Sequence, residues 1–95
     1  MNGDEIEFDW DEANIGHVAR HKVLPDEAEQ VIVNVPLDLG SDITDGEERY
    51  FNLGATMQGR VLLVVTTWRA DRVRVVTAFD PIKRLVQLYY QERGK

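Results

Sequence analysis

Between Ile6 and Trp10 apolar and acidic residues alternate, with Ile6, Phe8 and Trp10 on one side and Glu7 and Asp9 on the other. That is the period of a short strand or extended entry segment. A helix is expected from about Asp11 to His21. Asp11 and Glu12 stand in its first turn, where acids complement the helix dipole, and Ile15, Val18 and Ala19 form its apolar stripe. Pro25 is suited to open a second helix, with Asp26, Glu27 and Glu29 near its positive end. Ala28, Val31 and Ile32 make the stripe of that helix, and Pro36 stops it. From Leu37 to Glu48 the chain is Asp/Gly-rich, with Gly40, Asp45 and Gly46 as turn signals, and a loop is expected.

Three strands then follow in close order. Arg49 to Ala55 sets Phe51, Leu53 and Ala55 on one face; Arg60 to Arg69 is entered through Gln58-Gly59, and Arg72 to Phe79 through Ala70-Asp71. Connections this short join neighbours into an antiparallel meander. Pro81 opens a C-terminal helix whose stripe is Ile82, Leu85, Val86 and Tyr89. The expected fold class is therefore α+β: two N-terminal helices, an antiparallel β-meander and a C-terminal helix. With no repeat, linker or low-complexity segment, residues 1–95 read as a single domain.

If Ala70-Asp71 is a two-residue turn, the strand pairing follows by counting. Arg69 faces Arg72, Thr67 faces Arg74, Val65 faces Val76 and Leu63 faces Ala78 on one side of the sheet. Trp68 with Val73, Thr66 with Val75, Val64 with Thr77 and Leu62 with Phe79 occupy the other. Both faces are apolar in the middle, which calls for cover on both sides or for a partner. Arg69, Arg72 and Arg74 gather at one end of the sheet.

Composition narrows the class. Hydrophobic residues are 43% of the chain and charged ones 29%, and the longest apolar run, Val61 to Val65, is far too short to span a bilayer. Met1-Asn2-Gly3-Asp4-Glu5 lacks the basic start and apolar run of a signal peptide, so a cytoplasmic location is expected. Absence of cysteine removes disulfides, thiolate metal sites and a Cys nucleophile. The net charge of −6 divides unevenly: residues 1–48 carry −12 and residues 49–95 carry +6. Overall acidity opposes generic nucleic-acid binding, yet a segregated basic half can form a local phosphate patch. Mutual pairing of the two halves explains the same numbers.

His17 and His21, four residues apart, share a helix face, but Gly16 and Val18 flank His17, so no zincin motif is present. A general acid or base role suits a histidine better than a metal pair, and a structural or merely exposed role is the leading expectation. Asp42, Asp45, Glu47 and Glu48 lack the ligand spacing of an EF-hand and read as an exposed turn. There is no P-loop, GxGxxG or GxSxG, and Ser41 is the only serine. What remains is Arg49, Tyr50, Arg69, Arg72, Arg74, Lys83 and Arg84, with Trp68 and Tyr89 nearby in sequence. Cleavage of RNA by its own 2′-hydroxyl needs cations for the transition state and groups that move protons, but no protein nucleophile, metal or cofactor. Arginine forks suit the phosphate and aromatics can stack unpaired bases. A basic rim that docks an acidic protein segment fits these residues equally well.

Beyond this chemistry, the chain from roughly Phe8 to Tyr90 resembles the BrnT family of bacterial toxins. The resemblance is carried by Phe8-Asp9-Trp10-Asp11-Glu12, Asn14-Ile15 through Arg20-His21 and Val23, and Pro25-Asp26-Glu27-Ala28-Glu29. Asp45-Gly46-Glu47-Glu48-Arg49-Tyr50, Gly59-Arg60-Val61-Leu62-Leu63-Val64-Val65, Thr67-Trp68-Arg69 and Arg74-Val75-Val76-Thr77-Ala78 follow in the family's order. It implies a RelE-like fold and a ribonuclease that blocks translation, neutralised by a ribbon–helix–helix, BrnA-like antitoxin. DNA would be met only indirectly, through that antitoxin. In this reading Arg69 and Arg74 hold phosphate, Lys83 or Arg84 assists, and His21 carries a proton. Arg49, Tyr50, Trp68 and Arg72 would contact the RNA. Two departures stand out: Phe79-Asp80-Pro81 replaces an arginine and a strongly basic helix, and His21-Lys22 stands where Lys-His-Gly is common. The competing expectations are a non-catalytic module that holds an antitoxin and a homo-oligomer using the apolar sheet face.

Overall fold

A computed structural model describes residues 5–94; Met1 to Asp4, most of the segment read above for targeting signals, and Lys95 lie outside them. Helices α1 (Glu12–Arg20) and α2 (Pro25–Val33) precede strands β1 (Leu37–Thr44), β2 (Glu47–Ala55), β3 (Val61–Arg69) and β4 (Arg72–Phe79), and α3 (Lys83–Arg93) closes the chain. The strands form one antiparallel sheet in the order β1-β2-β3-β4. The α+β meander is as expected. Among the described residues no helix is long and apolar enough to cross a membrane.

Asp11 starts α1 by accepting hydrogen bonds from the backbone N–H groups of Ala13 and Asn14, while the Asn14 side chain accepts from the Asp11 N–H at 2.7 Å. This reciprocal cap satisfies donors that a helix start leaves open. The expected stripe is only partly right: Val18 is buried, but Ile15 is 42% exposed and Ala19 is exposed, and Asn14 is buried instead. The reason lies at the outer edge of β4. Asn14 donates through its amide to the Val75 carbonyl at 3.0 Å and to the Asp9 carbonyl at 2.9 Å. Just before it, the Asp9 N–H donates to the Val73 carbonyl and the Val73 N–H donates to the Glu7 carbonyl, making the Phe8–Val73 bridge. The entry segment and α1 thus cover an edge that would otherwise present open polar groups.

The helix α1 ends with Lys22 at φ 61°, the left-handed position that usually closes a helix and favours glycine. Pro25 opens α2, where the Glu27 carboxylate accepts from the Leu24 N–H. Ala28 and Val31 are fully buried and Ile32 half-buried, as expected. Gly54 lets this helix approach β2: a Cβ there would lie 3.0 Å from Val31 Cγ1.

Leu37 to Thr44 is not a loop but strand β1, paired to β2 through a two-residue turn in which Asp45 and Gly46 both have positive φ, 54° and 75°. Such turns match the twist of a hairpin. Almost every β1 residue is exposed, so backbone pairing rather than apolar alternation makes the strand. The β3–β4 hairpin also turns on two positive-φ residues, Ala70 and Asp71, and pairs Arg69–Arg72, Trp68–Val73, Thr67–Arg74 and Thr66–Val75 as expected. Beyond that a bulge shifts the register: Val65 faces Thr77, Val64 faces Ala78 and Leu63 faces Phe79. The expected Val65–Val76, Leu63–Ala78, Val64–Thr77 and Leu62–Phe79 pairs do not form.

Both faces of the sheet are packed over part of their length. Leu62, Val64, Val75 and Ala78 pack with Val18, Val23, Ala28 and Val31 under α1 and α2. Leu53, Val61 and Leu63, on the opposite side, pack with Tyr89, Leu85 and Val86 of α3. The C-terminal helix begins later than expected, since Ile82 is its extended N-cap and is 63% exposed. Asp80 binds Arg60 through two hydrogen bonds of 3.0 Å, and Arg60 reaches on to Glu27 and the Lys22 carbonyl. The Phe79-Asp80-Pro81 departure therefore ties the exit of β4 to the start of β3 and α2.

Candidate nucleic-acid interface

Beyond the stretch of sheet that packs on α3, the same face continues to the hairpin end as an open groove of about 200 Å³. Its floor is a row of directly opposed residues. Thr67 pairs with Arg74, and extending the β2–β3 register one step beyond Tyr50–Thr66 sets Arg49 beside Thr67. Arg69 and Glu47 flank this row two residues along their strands, Val76 sits at the bulge, and Ala13, Asn14 and His17 of α1 form the wall. Thr67 is buried and donates its hydroxyl to the Glu48 carbonyl at 2.8 Å, which holds the tip of β2 against β3.

Each arginine in the groove faces an acid from the first half of the chain. The Arg74 side chain is only 11% exposed and lies 3.1 Å from Asp11 Oδ1 and 3.4 Å from Asp9 Oδ2. The Arg74 guanidinium holds the Asp11 carboxyl below its ordinary range, helped by the Asn14 N–H, and Asp11 in turn raises Arg74. The Arg74–Asp9 contact lacks hydrogen-bonding geometry, so the buried Nη1 of Arg74 has no hydrogen-bond partner. Glu47 bridges the other two arginines: Oε1 is 3.4 Å from Arg49 Nε and Oε2 is 3.4 Å from Arg69 Nη2. At that length both contacts are weak and exchangeable.

Of the residues expected at a site, Arg49, Arg69 and Arg74 come together in this groove. Arg72 lies opposite Arg69 at the hairpin tip, 3.6 Å from Glu7. His21 is not on the groove; its ring lies 5.7 Å from that of Phe79 and 6.3 Å from that of His17, one turn earlier. Lys83 and Arg84 stand at the start of α3, outside the groove's lining. Tyr50 and Trp68 belong to the opposite face, where they line an apolar cleft of about 280 Å³ with Ile6, Ile32 and Val73. There partial burial raises the Tyr50 hydroxyl above the ordinary tyrosine range, helped by Glu48, which accepts its hydrogen bond. Thr67 and Asn14 were not singled out as site residues by sequence; His17 was weighed only beside His21, and Glu47 only within an acidic turn, and neither was assigned to the site. The signal was present for Glu47, since a residue two before Arg49 on a strand shares its face. Among the described residues no three His, Asp or Glu side chains are grouped to hold a metal ion.

Fold and groove define a small α+β protein with an open groove on its sheet lined by three arginines and walled by a histidine. Residues 10–84 match the family model described as the ribonuclease toxin BrnT of type II toxin–antitoxin systems, and the chain belongs to this BrnT family. No curated protein matches it.

Proposed function

We propose that the chain, acting as one domain with a RelE-like fold, is a metal-independent ribonuclease that blocks translation in the cytoplasm. The observation carrying this reading is the convergence of Arg49, Arg69 and Arg74 with His17 on one open groove. Guanidiniums bind the non-bridging oxygens of a phosphodiester bidentately and stabilise the extra charge that develops as the 2′-oxygen attacks phosphorus. His17, on the wall above them, is the proton donor in this reading, in the place first given to His21. Its partner is a ribbon–helix–helix antitoxin of the BrnA kind, through which alone DNA would be met. Purified protein is expected to cleave RNA in the presence of EDTA, and the Arg69→Ala/Arg74→Ala double variant to lose cleavage. Cleavage at the parent rate in that variant would remove the groove from the mechanism.

A second reading has its own observation. Every arginine of the groove is already paired with Glu47, Asp9 or Asp11, which is also how a non-catalytic module holding an antitoxin would look. Induced expression separates the two: the ribonuclease arrests growth unless its antitoxin is co-expressed, and the module does not.

A further inference from the structure

We propose that Glu47 is the general base of the groove, held between the two arginines in the place a phosphate takes. The inference rests on the ribonuclease reading. Glu47 sends one carboxylate oxygen to Arg49 and the other to Arg69, each at 3.4 Å. This spacing is that of two guanidiniums sharing one anion through its two oxygens. An incoming phosphodiester offers them a second pair of oxygens, so the substrate competes with Glu47 for the same forks. Displacement leaves the carboxylate beside the phosphate with an oxygen free to accept a proton.

Among the described residues no other group on the groove lining is placed for this task. Asp11 is committed to the cap of α1 and to Arg74, and Asp9 to the flank of Arg74. The Thr67 hydroxyl donates to the Glu48 carbonyl. Glu47 is the carboxylate on the groove lining, and His17 lies on the opposing α1 wall. The reaction balances with these two groups. Glu47 takes the 2′-hydroxyl proton as the 2′-oxygen bonds to phosphorus, the bond from phosphorus to the 5′-oxygen breaks, and His17 as imidazolium protonates that oxygen. The products are a 2′,3′-cyclic phosphate and a 5′-hydroxyl. The charged and titratable groups around Glu47 are Arg49 on its own strand, Arg69 on β3, Arg74 on β4 with its partners Asp9 and Asp11 from the entry segment and the α1 cap, and His17 on α1.

The test compares the parent protein with E47Q and E47D in EDTA, on free RNA and on messenger RNA in a reconstituted translation reaction. Cleavage is followed against pH, and binding is measured with a 2′-O-methyl RNA that cannot be cleaved. E47Q should cleave about a hundred- to ten-thousand-fold more slowly, bind the uncleavable RNA as tightly or more tightly, and lose the acid limb of the rate profile. E47D should retain that limb at a reduced rate. If the parent cleaves and E47Q stays within about threefold with its acid limb intact, Glu47 is not the base. Equal losses of binding and cleavage in E47Q, or loss of the acid limb in E47D, also overturn the inference. A parent that cleaves neither substrate overturns the ribonuclease reading itself.

Discussion

Asn14 is a single side chain on which both the fold and the groove depend. It is 3% exposed, donates to the Asp9 and Val75 carbonyls, and accepts from the Asp11 N–H. Replacing it with alanine strips three buried or half-buried backbone groups of partners in a place where water has little access. An unmet buried group costs about 1–3 kcal/mol, so taking the low end for each gives a loss of about 3 kcal/mol. Alanine recovers roughly 0.5 kcal/mol through its higher helix propensity. The net expectation for Asn14→Ala is a loss of about 2–3 kcal/mol. For a domain of this length that corresponds to a fall in Tm of roughly 10–20 °C. Urea titration followed by circular dichroism reads the change directly, provided the slope with denaturant is preserved. A loss below about 1 kcal/mol would show that α1 does not depend on this amide for its place against β4. Because α1 carries His17, the folded variant should also bring that histidine less reliably to the groove, lowering cleavage more than RNA binding.

Two further outcomes follow from the backbone and the ion pairs. Lys22 holds a left-handed φ of 61° at the end of α1, so Lys22→Gly should stabilise the protein by about 0.5–1 kcal/mol. Thermal unfolding checks it, and an unchanged or lower Tm would contradict the assignment of strain to this residue. Asp80 is held below its ordinary value of 3.8 by the Arg60 guanidinium. A carboxyl depressed in the folded state contributes stability that is present above about pH 4 and is lost as pH falls through its folded value. Asp80 is 64% exposed on its side chain, so screening limits this to about 1 kcal/mol or less. Asp80→Asn should therefore be slightly less stable at neutral pH, and the gap to the parent should close in acid; a gap that widens in acid would refute the sign.

The parts of the fold legible in sequence are those where local chemistry and apolar period agree. Ala70-Asp71 between two apolar runs announced the β3–β4 hairpin, and Pro25 announced α2. The shift after Thr66 was hidden because both faces of β4 are apolar. A one-residue slip there moves Thr77, Ala78 and Phe79 across the sheet without exposing a mismatched pattern, so periodicity exerts no veto. Strand β1 was hidden for the opposite reason: it is exposed nearly throughout, and its stability comes from the Asp45-Gly46 turn and the ladder to β2. That error displaced the start of β2 to Arg49 and left Glu47 in a supposed loop, which is why the acid between two arginines went unseen. On α1 the apolar stripe competed with Asn14, and three hydrogen bonds outweighed the burial of Ile15. The resulting rotation selects His17 for the groove and turns His21 toward Phe79, a choice that depends on where the helix meets the sheet edge.

The charge segregation of the chain acquires a structural meaning at this groove. Asp9, Asp11 and Glu47, all from the acidic half, are the partners of Arg74, Arg49 and Arg69 from the basic half. Counting those partners, the three guanidiniums are neutralised before any substrate arrives. The two kinds of pairing differ in strength. Asp11 is fixed by the α1 cap and holds Arg74 at 3.1 Å, whereas Glu47 touches two arginines at 3.4 Å. Under the ribonuclease reading a phosphate therefore displaces Glu47 more readily than Asp11, leaving Arg74 as a fixed point and Arg49 and Arg69 as the exchangeable pair. Under the ribonuclease reading, an acidic protein of net charge −6 gains little from long-range attraction to RNA. Its affinity must come instead from this local exchange of one carboxylate for one phosphate.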